Sequence, residues 1–153
     1  ENVMQDGKPW RYMFKPSLDD ESQDCYDKNS PMDDPHFTSG VGNHFFYLLS
    51  EGAVVPASYR AELVKADLVC NGDIDLTRIT NKVAAQVWYR AITLYMTSQT
   101  GYPKAREATQ QAAADLLDRG LLSKKQANAV ACAWEAVNVP LPDGSKLATC
   151  QRT

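Results

Sequence analysis

The stretch PHFTSGVGNHFFYLLSEG, residues 35–52, constrains the fold more than any other part of the sequence. A polar lead-in carrying His36 runs directly into an apolar, aromatic-rich segment. Thr38 or Ser39 is placed to cap a helix in which Val41, Phe45, Leu48, Leu49 and Gly52 follow at helical spacing. Phe46 and Tyr47 widen the apolar face, so the helix should be buried around most of its circumference. Gly40 and Gly42 stand in the first turn, where each costs roughly 1 kcal/mol of helix propensity relative to alanine. That cost makes sense if another backbone, or the floor of a cleft, comes close to the turn. His36 is thus expected at the entrance to a rigid, buried element.

Size and charge narrow the function classes. A chain of 153 residues with 44% apolar content can bury one substantial core. Sixteen Lys and Arg against nineteen Asp and Glu give a formal charge of -3. There is therefore no basic field for nucleic acid and no polybasic signal for a membrane. No apolar run reaches the length of a membrane span. The N-terminus, ENVMQDGKPW, resembles neither a signal peptide nor an initiator-methionine start and reads as the cut end of a longer precursor or as a boundary chosen within one.

Four cysteines, Cys25, Cys70, Cys132 and Cys150, are widely spaced, with no CxxC and no Cys/His pattern of zinc-finger type. Two disulfides formed in an oxidising compartment are expected. Of the three connectivities, Cys25–Cys70 with Cys132–Cys150 is favoured, because the second bridge would tie down the tail. Four reduced cysteines, some buried as small hydrophobes, are the alternative.

The chain divides into an irregular arm and cleft wall over residues 1–35, a helical bundle over 36–140 and a tail over 141–153. In the arm, Trp10, Met13 and Phe14 are candidates for anchoring an extended segment against the helical body. Residues 52–78 read as a mostly irregular connection. Within it Asn71, Asp73 and Asp75 alternate like the start of a calcium loop, but the glycine and terminal glutamate of an EF-hand are missing, and turn chemistry explains the pattern. A second helix is predicted from Thr80 to about Thr97. Its stripe of Val83, Val87, Ala91 and Leu94, flanked by Ala84, Trp88, Ile92 and Tyr95, is broad enough to be core on two sides. A third starts with Pro103 in its first turn, presents Ala105, Ala108, Ala112, Ala113 and Leu116, and ends at Gly120. The fourth opens on a Ser123–Gln126 capping box, carries Ala127, Val130, Ala131, Trp134 and Val137, and stops before Pro140 and Pro142. The fold class is mainly α, with four to six helices preceded by the arm.

Only two histidines are available for chemistry. His36 follows Asp34 by two residues and Asp33 by three. A carboxylate so near an imidazole can fix its tautomer and suit it to proton transfer or to an oxyanion contact. The same Asp-x-His pattern also occurs in ordinary surface loops. His44, inside the apolar helix, is expected to be a satisfied core or surface histidine rather than a working one. HExxH, a phosphate loop and a G-x-S-x-G elbow are all absent, so the chain has no recognisable zinc, nucleotide or serine-hydrolase site of its own.

The run Asp34-Pro35-His36-Phe37-Thr38-Ser39-Gly40, followed by Asn43-His44-Phe45-Phe46-Tyr47-Leu48-Leu49, closely resembles the C-terminal domain of the thermolysin-like neutral zinc metalloendopeptidases. The likeness is greatest to their secreted bacterial branch that contains disulfides. It continues through Val87-Trp88-Tyr89-Arg90-Ala91-Ile92-Thr93-Leu94-Tyr95-Met96-Thr97, through Trp134-Glu135-Ala136-Val137-Asn138-Val139, and through Arg11-Tyr12-Met13-Phe14-Lys15-Pro16-Ser17. Nearly the whole chain is covered, apart from residues 53–75 and the last dozen.

The resemblance implies roles residue by residue. His36 matches the histidine that hydrogen-bonds the tetrahedral intermediate's oxygen, and Asp34 the carboxylate that orients it. Arg11 matches an arginine that contacts substrate backbone on the leaving-group side, and Trp10 falls where an apolar residue lines the adjoining pocket, which prefers large apolar side chains. HExxH and a third, glutamate ligand lie upstream in the family. The resemblance therefore implies zinc in the full-length enzyme, bound by the N-terminal half, and admits calcium there, with no cofactor in this chain. The implied partners are that N-terminal catalytic half and peptide or protein substrates, and the implied location is extracellular. The isolated chain is expected to be inactive. Two positions depart from the family: Pro35 replaces a small aliphatic residue, and Trp10 a leucine. A different reading of the whole chain is a non-enzymatic helical binding module that retains the protease-domain scaffold.

Overall fold

The computed structural model of the protein describes residues 9–29, 34–144 and 150. Its helices are α1 (Pro35–Thr38), α2 (Gly40–Glu51), α3 (Asn81–Leu94), α4 (Tyr102–Asp118) and α5 (Lys124–Ala136). Short 3-10 turns at Pro16–Asp19, Ala57–Tyr59 and Lys65–Leu68 interrupt the arm and the connection, and no strand occurs among the described residues. The mainly helical architecture is the expected one.

α2 is the centre of the molecule, lying against both α3 and α5, while α4 closes on the other sides of those two. Val41, His44, Phe45, Leu48, Leu49 and Ser50 are buried along it. Phe45 stacks on Trp134 of α5 with ring centroids 3.7 Å apart and leans on Trp88 of α3 at 6.0 Å. Full burial of a side chain such as Phe45 contributes about 1.5–3 kcal/mol. The glycines in its first turn are explained by close approach. A Cβ on Gly40 would stand 2.5 Å from the backbone oxygen of Gln23, and one on Gly42 would stand 3.3 Å from the ring of Tyr102.

The later helices follow their local signals. Ser123 and Gln126 form the reciprocal capping box of α5, and Asn138 leaves that helix with a positive φ of 61° just ahead of Pro140. Ala105, Ala108, Ala112, Ala113 and Leu116 make the buried ridge of α4, whose small side chains let α3 and α5 come close. Gly120 takes a left-handed conformation after its last turn.

Several expectations change. α3 ends at Leu94 and buries one side only: Ala84, Val87 and Ala91 face the core, whereas Ile92, Leu94 and Tyr95 are exposed, Leu94 by 56%. The three buried residues form one 3–4-spaced line, and the flanking apolar residues point past its edges. In the arm, Tyr12 rather than Trp10 or Met13 is the buried anchor, with Phe14 half-buried beside it. Phe14 packs on Tyr59 at 4.9 Å and Tyr47 at 5.9 Å. Met13 and Phe14 form a turn between the buried Tyr12 and the buried Pro16, and at that turn Phe14 leans inward while Met13 stays exposed. Trp10 is 57% exposed.

Both disulfides form with the favoured connectivity, Cys25–Cys70 and Cys132–Cys150. Around the first, Tyr26 N–H donates to the Val137 carbonyl at 2.9 Å and Cys70 N–H to the Ala136 carbonyl at 2.7 Å. The arm and the connection are thereby tied to the end of α5. At Asn71–Asp75, the Asn71 and Asp73 side-chain oxygens accept from backbone N–H groups two residues ahead, at 2.9 and 3.2 Å. These are turn-forming contacts, as the sequence suggested.

Candidate active site

The lead-in to α2 folds because Asp34 caps it. Asp34 is extended, its carboxylate accepts the His36 backbone N–H at 2.8 Å, and Pro35 occupies the first helical position, where no N–H is needed. The one-turn helix α1 that results stands where the sequence shows only a polar lead-in. It also gives Pro35 a structural reason: a fixed φ suited to a helix start. Ser39 holds the cap position of α2, yet its hydroxyl turns back to donate to the His36 carbonyl at 3.0 Å.

The same Asp34 oxygen that caps α1 lies 2.7 Å from His36 Nδ1. The His36 side chain is 75% exposed and that of Asp34 49%. The His36 backbone N–H, then its ring, hold the Asp34 carboxyl below its ordinary value of 3.8, with a smaller contribution from the Arg11 guanidinium. Asp34 is therefore ionised at neutral pH. With Nδ1–H committed to Asp34, Nε2 is left for a ligand, and in the protonated ring it carries a second donor. Asp33 lies outside the described residues.

Arg11 reaches this corner from the arm. Its guanidinium sits 3.5 Å from the Asp19 carboxylate and donates to the Trp10 carbonyl at 3.2 Å. Its charge is the weakest of the influences that hold the Asp34 carboxyl down. Beside this corner runs a groove of about 330 Å³ lined by Met13, Ser39, Gly42, Asn43, Phe46, Trp88 and Tyr102. Met13 and Ser39 join it to the Arg11 and His36 segments respectively, although none of the four expected site residues lines it.

His44 is structural, as expected, but in a way no pattern announced. It is buried, with Nδ1 2.9 Å from the Asp24 carbonyl and Nε2 2.9 Å from the Leu68 carbonyl. Burial pushes its pKa down, against the two carbonyls and the Asp24 charge, which favour the cation. Tyr102 is a residue that the sequence did not single out: its hydroxyl sits between Thr38 and Gly42 at the foot of the His36 turn. Only its place beside Pro103 at the start of α4 marked it, and that signal concerns the helix rather than the site.

A metal does not fit the donors at hand. Among the described residues no three His, Cys, Asp or Glu side chains converge. Nor is any helix among them long and apolar enough to cross a membrane.

The family model described as "Thermolysin metallopeptidase, alpha-helical domain" matches residues 1–139. The chain is 38% identical over 138 residues, 90% of its length, to the transglutaminase-activating metalloprotease of Streptomyces mobaraensis. It is 30% identical over 104 residues, 68% of its length, to neutral protease B of Bacillus subtilis (strain 168). A third match, to the extracellular elastase of Staphylococcus epidermidis, is 41% identical over 54 residues, which is 35% of this chain and 10% of that protein. The chain spans 17% and 16% of the first two relatives. With the family matched over most of its length, the chain belongs to the thermolysin metallopeptidases, as their alpha-helical domain.

Proposed function

We propose that this chain is the C-terminal half of a secreted zinc metalloendopeptidase, supplying transition-state and substrate contacts rather than the metal site. The observation that carries this reading is the exposed His36 ring locked through Nδ1 onto an ionised Asp34. A ring fixed in this way presents Nε2 to an oxygen that becomes negative as the peptide carbonyl is attacked. Such a donor is worth little to a neutral carbonyl and much to an oxyanion, so it lowers the barrier more than it tightens binding. Arg11, braced by Asp19, binds substrate backbone on the leaving-group side. Trp10 lines the adjoining side-chain pocket, which favours cleavage before large apolar residues.

Zinc, bound by the N-terminal half, supplies Lewis acidity and an activated water. This chain's residues hold none of its ligands, so by itself the chain hydrolyses no peptide. The experiment is kinetic. In the full-length protein, His36→Ala should lower kcat by about 10²–10³ on a furylacryloyl dipeptide substrate, with KM little changed. The melting temperature should hardly move, because an exposed imidazole adds little to the core. Unchanged kcat in that variant would remove His36 from the mechanism.

A further inference from the structure

We infer that Tyr102 is a positioning residue for the His36 turn, wedged by its hydroxyl into the joint between α1 and α2. The inference rests on the catalytic reading of His36 given above, and adds what sets the place of its ring.

The geometry is unusual for a tyrosine. Tyr102 Oη accepts the Gly42 backbone N–H at 3.1 Å and donates to the Thr38 carbonyl at 2.6 Å. Thr38 and Gly42 are four residues apart, the two groups that a continuous α-helix would bond directly to each other. A hydroxyl interposed in that ladder opens the helix locally and sets the angle between the turn before it and the helix after it. The turn before it is α1, which carries His36. The helix after it is α2, fixed in the core by Phe45 and Leu48.

Three further features suit a wedge. The Tyr102 ring is held in place by Trp134 at 6.1 Å and by Tyr26, edge-on, at 6.2 Å. Gly42 leaves room for the hydroxyl, since a Cβ there would stand 3.3 Å from Oη. Burial raises the Tyr102 pKa, outweighing the Gly42 N–H that lowers it, so the hydroxyl keeps the proton it donates. On the other side of the joint, the Gln23 N–H donates to the Phe37 carbonyl at 3.4 Å. The His36 turn is thus held between the arm and α4 rather than by its own single turn of helix.

Replacing Tyr102 by Phe keeps the ring packing and removes only the wedge. Gly42 N–H and Thr38 C=O can then meet directly, which swings α1 and carries the His36 ring away from its working position. Displacements of about 1 Å at a reacting group cost up to about 10²-fold in rate.

The test uses the full-length protein and the furylacryloyl dipeptide substrate, with four forms: wild type, Tyr102→Phe, His36→Ala and the double variant. Tyr102→Phe should lower kcat by about ten- to a hundredfold with KM little changed. The double variant should be no slower than His36→Ala alone, because a residue that acts only through His36 has nothing left to position. Gly42→Ala, which crowds the hydroxyl from the other side, should show the same non-additivity and serves where Tyr102→Phe folds poorly. Equal fold-losses with and without His36 would mean a general structural role and would overturn the inference. So would an unchanged kcat in Tyr102→Phe alongside a large loss in His36→Ala, a result that leaves the catalytic reading standing. An unchanged kcat in His36→Ala overturns both.

Discussion

At the scale of single residues, the two histidines are set apart by their partners. Among the described residues, His36 has one acceptor, a carboxylate, and an open second nitrogen. His44 has two acceptors, both backbone carbonyls, and a neutral ring carries only one N–H to share between them. Burial wins that contest and keeps its pKa below the ordinary 6.5. The groups facing it are Asp24, whose charge favours the cation, and Lys15, whose charge opposes it. Asp24 is held ionised despite its burial by the Ser17 N–H and hydroxyl and by Lys15. Because the folded pKa of His44 is depressed, the unfolded chain takes up a proton first as pH falls. Stability is full above about pH 6.5 and is lost as the pH drops below that value towards the folded pKa. Melting temperature measured from pH 7.5 to 5 should therefore decline for the wild type and decline less steeply for His44→Gln. Parallel slopes would show that another group is responsible. Asp34 behaves differently, since its carboxyl is held below 3.8 and stays ionised across this whole range.

At the scale of elements, what distinguishes α2 is the price of its glycines. Gly40→Ala should improve intrinsic helix propensity by about 1 kcal/mol. It also places a methyl 2.5 Å from the Gln23 backbone oxygen, and forced overpacking costs about 1–3 kcal/mol. Backbone cannot step aside as a flexible side chain does, so the clash should win. The denaturant midpoint of Gly40→Ala is expected to fall, and a rise would mean that the arm is not seated on α2. α4 makes a contrasting choice. Its alanine ridge allows close packing, but it also buries Arg106, whose guanidinium bonds the Val139 carbonyl at 2.6 Å and Glu135 at 2.9 Å. Trp134 Nε1–H donates to Thr109 at 2.7 Å. α4 and α5 are thus joined by polar contacts as well as by apolar packing.

At the scale of the whole molecule, two covalent bridges fasten Cys25, Cys70 and Cys150, all outside the α-helices, into the fold. Cys25–Cys70 spans 45 residues and links the arm to the connection, and Cys132–Cys150 spans 18 and ties the tail to α5. Loop-closure entropy puts their contributions at about 4 and about 3 kcal/mol, mostly through the unfolded chain. The denatured, unreduced protein should show no free thiol, and reduction should lower the denaturant midpoint substantially. Titration of two or more thiols before reduction would contradict the pairing.

Apart from the disulfide pairing and the family resemblance, what could be read from the sequence lies within one or two turns of the chain. The Ser123–Gln126 capping box, the alanine ridge of α4 and the Asp34–His36 pair all join residues two to four positions apart, where backbone geometry alone brings the groups together. Gly40 and Gly42 announced a close approach without naming what approached. The tertiary structure alone decided the rest. It chose Gln23 and Tyr102 to meet those glycines, the latter 60 residues from Gly42 and 64 from Thr38. It seated His44 between carbonyls 20 and 24 residues away, and it settled which side of α3 is buried. Hydrophobic periodicity marks an apolar face but not its partner, and a hydrogen bond between distant residues leaves no spacing in the sequence, because the fold and not the local chain sets that distance.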